Sequence, residues 1–335
     1  MPRILLVKTS SMGDIVHALP AVSDIARHFP GAVIDWVAEE SFTAIPALHP
    51  QVADVIPVAL RRWRKNWFSA ETREERAAFW HRVGKHRYDC VIDLQGLVKS
   101  ALLARHVNGP LHGCDFRSAR EPLAALFYRF RHRVVFQQSA VTRMRLLAAQ
   151  SLGYALEGPP EFGLKVGRRP GMPPRYAAIM PSASRETKLW PEEYWKAVLL
   201  RLEVAGYAPY LFAGNEEELE RAQRLADAVP RARALPRMGL REAAEVLAGA
   251  SVFVGLDSGL THLAGGLGRP TIGIYCDYDP ALAPVTGSGF IACLGGPGTP
   301  PTREEVLAAV GRALPAEATH PRPVVAINDD TEPDA

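Results

Sequence analysis

The chain has 335 residues, 47% of them hydrophobic and 22% charged, with a formal net charge of +3. That length accommodates two domains, each with its own core, and the balance excludes a disordered or fibrous chain. No apolar stretch is long enough to span a bilayer, and Met1-Pro2-Arg3 leads straight into a strand pattern without a signal peptide, so the cytosol is the expected compartment. Cys90, Cys114, Cys276 and Cys293 are too scattered for a zinc site or a disulfide scaffold. The charge is uneven. Residues 1–165 carry 22 Lys and Arg against 15 Asp and Glu, so whatever that half binds is expected to be anionic.

In chain order, residues 4–7 are a continuous apolar run of the kind buried on both faces of a parallel sheet. They lead into Lys8-Thr9-Ser10-Ser11-Met12-Gly13-Asp14, and a helical period follows through Ile15, Leu19, Val22 and Ala26. In such folds ligands sit at the strand-to-helix junction. Asp14 there is either a general base or merely the helix N-cap. Similar runs at 33–37, 55–58 and 91–92 predict further strands. Two basic clusters interleaved with aromatics follow, Arg61-Arg62-Trp63-Arg64-Lys65 and the group around Arg117, Arg120, Arg129, Arg131 and Arg133. They suit phosphate, carboxylate or a membrane surface. Nucleic acid is not expected, because no recognition motif accompanies the charge.

The pattern breaks at 166–174, a Pro/Gly/Arg linker, and restarts with a strand at 177–180. The junction after it holds Ser184, Thr187 and Lys188 ahead of a helix begun by Pro191 and stopped by Gly206. A lysine beside a helix N-terminus is electrostatically odd unless an anion sits there. Runs at 209–212, 252–255 and 271–275 continue the alternation. After 252–255 comes Asp257-Ser258-Gly259-Leu260-Thr261-His262, whose small residues at a helix mouth leave amides open to a pyrophosphate. It could equally be a satisfied cap. Gly287-Ser288-Gly289 begins a dinucleotide fingerprint by letters, but Gly295-Gly296-Pro297-Gly298 forbids the helix that must follow. No metal-ligand spacing is present. Alternating strand and helix predicts an α/β protein with domains at 1–165 and 175–314, and 315–335 reads as a disordered tail.

Taken together, Val7 to Asp14, Arg61 to Lys65, Ala119-Arg120-Glu121-Pro122-Leu123 and Asp257 to Leu263 resemble the ADP-heptose:lipopolysaccharide heptosyltransferases, most of all those that add the first heptose of the inner core. The resemblance runs from the first strand to about Leu314. It implies a GT-B fold, two Rossmann-like domains facing a central cleft, and an inverting transfer without metal or cofactor, ADP-heptose being a substrate. The first domain would bind the Kdo-lipid A acceptor through Ser10, Ser11, Gly13, Arg61, Arg62, Arg64, Lys65 and Arg120, with peripheral contact to the inner membrane from its cytoplasmic side. The second would bind ADP-heptose through Ser184, Thr187, Lys188, Met238, Asp257, Ser258, Gly259, His262 and a carboxylate at Glu218 or Glu217. Asp14 matches the family's general base and Lys188 the cation on the donor phosphates. Where relatives have Tyr-Gly-Pro-Thr-Asp-Pro this chain has Tyr275-Cys276-Asp277-Tyr278-Asp279-Pro280, which puts local donor contacts in question. Rival readings are a sibling enzyme acting on a later core sugar, a nucleotide-sugar-binding module without turnover, and a NAD-dependent epimerase or dehydrogenase. The missing fingerprint weakens the last.

Overall fold

The structure is a computed structural model and describes residues 1–314. In the first half the elements are β1 (Arg3–Val7), α1 (Met12–His28), β2 (Val33–Glu39), β3 (Val52–Val58), α2 (Leu60–Lys65), α3 (Ala70–Gly84), β4 (Cys90–Asp93), α4 (Val98–Ala104), β5 (Leu111–Cys114), β6 (Phe130–His132) and α5 (Ala140–Leu152). The second half comprises β7 (Tyr176–Met180), α6 (Glu192–Val204), β8 (Ala208–Leu211), α7 (Glu216–Asp227), β9 (Arg233–Ala234), α8 (Leu240–Gly249), β10 (Val252–Leu256), α9 (Gly259–Gly266), β11 (Thr271–Tyr275), β12 (Ile291–Gly295) and α10 (Arg303–Ala313). They build two parallel sheets, ordered β3-β2-β1-β4-β5-β6 and β12-β11-β10-β7-β8-β9. Both orders are the doubly wound Rossmann arrangement, so the α/β, GT-B reading stands.

Each apolar run feeds two cores because successive strand side chains point to opposite faces. In β1, Ile4 and Leu6 join one buried cluster while Leu5 and Val7 join another. In β7, Tyr176 and Ala178 join that same first cluster, and Ala177 and Ile179 a third. The shared cluster runs from one sheet to the other through α1, α5, α8 and α9. Between α5 and β7 the chain has no helix or strand. Lys165 still donates to Leu48 of the first half, and Arg169 to Glu245 of the second. Four strands were missed in the sequence: β5, β6, β9 and β12, all toward the outer edges of their sheets. The decoy glycine run is followed by β12 rather than by a helix. The tail expected at 315–335 lies outside the described residues.

Candidate active site

In each sheet the strand order reverses at one point, between β1 and β4 and between β7 and β10. Ligands of such sheets bind in the crevice beyond the carboxyl ends of the strands at that reversal. Here the two crevices face each other. The N-terminus of α1 crosses the N-terminus of α9, and two glycines permit the approach. A Cβ on Gly13 would lie 3.1 Å from the His262 ring, and one on Gly259 would lie 2.7 Å from the Met12 side chain. The cleft left open at this crossing has a volume of about 610 Å³. Ser11, Gly13, Asp14 and Arg120 line it from one side, and Ser184, Lys188, Glu218, Asp257, Ser258, Gly259 and His262 from the other.

On the first side, Ser11 is the N-cap of α1 and Asp14 is its third helical residue, so Asp14 is not the cap itself. Its Oδ2 accepts from the Ser11 amide at 3.0 Å and the Ser11 hydroxyl at 3.1 Å, the carboxylate half of a capping box. Lys8 Nζ is 4.0 Å from Oδ1 and Arg120 Nη1 3.9 Å from Oδ2. Burial pushes the Asp14 pKa upward, but Lys8 and the Ser11 amide more than offset it, and the net direction is down. The carboxylate is therefore ionised at neutral pH. Lys8 is itself buried, donates to the Leu94 carbonyl at 3.2 Å, and has its pKa lowered by desolvation. Ser10 is buried and does not reach the cleft. Its amide, at 3.1 Å, and that of Thr9, at 3.0 Å, donate to Gln95 Oε1, which shapes the loop.

On the second side, the anion expected beside Lys188 is supplied by the protein. Lys188 Nζ donates to Asp257 Oδ2 at 2.5 Å, and His262 Nε2 lies 3.3 Å from Asp257 Oδ1. Burial would raise the Asp257 pKa, yet the His262 and Lys188 hydrogen bonds bring it down to about 2. Ser258 caps α9, and its hydroxyl accepts from the Thr261 amide at 3.4 Å. The amides of Gly259 and Leu260, at the start of α9, have no carbonyl within the helix to bond, and Gly259 lines the cleft. Glu218 faces the cleft and accepts from the Gly214 amide at 2.7 Å, whereas Glu217 lines only an adjoining pocket of about 230 Å³ that Glu218 shares.

The remaining sequence candidates sit elsewhere. The Thr187 hydroxyl donates to Asp277 Oδ2 at 2.6 Å, so the departure at 275–280 fastens this loop, while Tyr278 lines the cleft. Met238 packs against the shared core. Arg61, Arg62, Arg64 and Lys65 lie on α2 outside the cleft lining. Arg61 stacks over Phe42, a cleft residue, at 5.7 Å. Arg62 is engaged twice within the protein, by Glu40 at 2.9 Å and Glu75 at 2.8 Å. Among the basic residues that line the cleft, His17, Arg143 and Arg185 are not candidates in the sequence. The spacing of His17, one turn after Asp14, was the available signal; Arg143 lies in no motif.

Arg120, Arg143, Arg185 and Lys188 and two helix N-termini converge on the cleft, which suits an anion held beside the Asp14 carboxylate. Residues 76–305 match the family model described as glycosyltransferase family 9 (heptosyltransferase). The chain is 45% identical over 296 residues to lipopolysaccharide heptosyltransferase 1 of Escherichia coli strain K12, covering 87% of this chain and 93% of the relative. The solved structure of E. coli heptosyltransferase WaaC with ADP superposes with a TM-score of 0.87 at 42% identity, covering 93% of this chain and 99% of that one. WaaC with ADP-2-deoxy-2-fluoro heptose matches with a TM-score of 0.81 at 41% identity over 92% and 98% of the two chains. The cleft, the paired Rossmann sheets and these likenesses agree, and the chain belongs to glycosyltransferase family 9, the heptosyltransferases.

Proposed function

We propose that this enzyme moves L-glycero-D-manno-heptose from ADP-heptose to a Kdo residue of Kdo-lipid A, with inversion, in lipopolysaccharide inner-core synthesis. The observation that carries the reading is the opposition across one cleft of the Asp14 carboxylate and the Lys188–Asp257 pair. The acceptor hydroxyl attacks the anomeric carbon, its proton passes to Asp14, and the bond to ADP breaks with its electrons on the diphosphate. Lys188, Arg185 and the first amides of α9 stabilise that charge from fixed positions. The likeness to structures solved with ADP and with a fluorinated ADP-heptose supports the donor.

Protein cations at the leaving group make a divalent metal and any cofactor unnecessary in this scheme. Transfer is accordingly expected to persist in excess EDTA. Activity that vanished with chelator and returned with Mg²⁺ would refute this account of the leaving group.

The cationic first domain supports an anionic, lipid-borne acceptor. No described helix is long and apolar enough to cross a membrane. Contact with the bilayer is proposed instead through the turn at residues 122–127, where Leu123 and Leu126 are 63% and 58% exposed and Arg105 covers Phe127. Co-sedimentation with anionic but not zwitterionic vesicles is the check. On α2, Arg64→Ala is expected to raise the acceptor KM severalfold, less so in high salt, since exposed charge is screened over about 8 Å at physiological ionic strength. Arg62→Ala is expected to raise it less, because Glu40 and Glu75 already compensate that guanidinium. The reverse order would place Arg62 on the acceptor. The deciding experiment mixes purified protein with ADP-heptose and Kdo-lipid A and weighs the product by mass spectrometry. Turnover only on an acceptor that already bears heptose would reassign the enzyme to a later step.

A further inference from the structure

The structure contains a hydrogen-bonded chain that crosses the domain boundary. Lys188 and His262 both bond Asp257, and on the far side of the His262 ring Nδ1 lies 3.1 Å from Nε2 of His17, a residue of α1. The two rings meet edge to face with centroids 4.3 Å apart, and both are buried. A carboxylate can only accept, so Nε2 of His262 carries a hydrogen. The tautomer pair that matches both contacts has Nδ1 of His262 accepting and Nε2 of His17 carrying the hydrogen and donating. Burial and the neighbouring His262 hold the His17 pKa well below its ordinary value, so His17 is neutral. Its Nδ1 has no hydrogen-bond partner among the described residues. An imidazole kept dry with one nitrogen unsatisfied is costly, and the nitrogen that is satisfied is the one aimed at the donor side.

We propose that His17 is a positioning residue for the transfer: by donating to Nδ1 of His262 it holds that ring in the tautomer that donates to Asp257, and so fixes the Asp257–Lys188 pair relative to the turn of α1 that carries Asp14. Asp14 and His17 stand three positions apart on that helix, so the two side chains share a face. A chain of four side chains, Lys188, Asp257, His262 and His17, thereby ties the donor-side cation to α1, the helix that carries Asp14, where the two halves meet at Gly13 and Gly259. A misplacement of about 1 Å between reacting groups can cost 10²-fold in rate, which sets the scale of what such a tie protects. The inference rests on the proposed transfer and names a residue that serves it.

The test compares His17→Leu, which cannot donate, with His17→Gln, whose side-chain amide can place an N–H near the position of the ring Nε2. The Leu variant is expected to lose roughly tenfold to a hundredfold in kcat, with a smaller change in KM for either substrate, and the Gln variant to recover most of that loss. Parent-like kcat in the Leu variant, or equal damage in both, would overturn the proposal. Histidine ¹⁵N spectra of the parent, with His262 assigned from its absence in His262→Asn, provide a second arm that needs neither activity nor a folded Leu variant. His262 is expected as the Nε2–H tautomer; a hydrogen on its Nδ1 would overturn the proposal. A parent with no transferase activity on ADP-heptose and Kdo-lipid A, but with the expected spectrum, would instead count against the proposed function.

Discussion

Replacing Asp14 with Asn is expected to lower turnover by about 10² or more while ADP binding and thermal melting stay near those of the parent, since a general base contributes about 10² to 10⁴ in rate. Asn keeps a side-chain oxygen for the Ser11 amide and hydroxyl, so the start of α1 should survive the change. What is lost is the ionised oxygen that Lys8 and Arg120 face. Those cations make Asp14 a weaker base but keep it deprotonated across the neutral range. Asp14→Ala should lose turnover too and, in addition, some stability, because the Ser11 amide and hydroxyl lose their acceptor in the capping box. The measurement is steady-state turnover of the Asn variant beside melts of both. Near-normal turnover in Asp14→Asn would remove the general-base role and leave Asp14 as part of a cap.

The second large effect is expected at Lys188. Lys188→Met keeps the length of the side chain and discards the charge, leaving Asp257 with His262 as its remaining partner among those described. A diphosphate arriving there would meet a buried carboxylate without its cation. Removing one charge-stabilising donor from a preorganised site costs about 10² to 10³ in rate, and kcat/KM for the donor is expected to fall by at least that much. The same variant has a pH signature. The Asp257 pKa, held at about 2, lies below its unfolded value of about 3.9, so its ionisation contributes stability above the unfolded value that is lost as pH falls toward 2. Without Lys188 the folded pKa moves up and that contribution shrinks. Melting curves between about pH 2 and pH 6 should show the variant losing stability relative to the parent most clearly at the upper end. An unchanged kcat/KM would show that Lys188 does no more than neutralise Asp257.

Much of this molecule could be read from residues in sequence. The central strands β1, β2, β4, β7, β10 and β11 are short apolar runs because both of their faces are buried, and the junctions after β1, β7 and β10 announced themselves by small and charged residues at helix mouths. Those features are local, so Asp14, Lys188, Asp257 and His262 were legible as candidates. The outer strands β5, β6, β9 and β12 were not, although the edge strand β3 carries a readable run at 55–58. In β6 only Phe130, Arg131 and His132 pair, all at least partly exposed, and β9 has two residues, so neither has an apolar period to detect.

What only the tertiary structure decided is which charges meet. Lys188 and Asp257 are 69 residues apart and His17 and His262 are 245 apart, and no pattern of period 2 or 3.6 reports such a pair. The basic cluster on α2 shows the same limit from the other side. Its composition predicted an anionic ligand, while the fold brings Glu40 and Glu75 to Arg62. Sequence periodicity encodes which face of an element is buried. Which distant side chain waits on that face depends on how the elements pack, and here on two helices approaching closely enough at Gly13 and Gly259 to bring the halves of one site together.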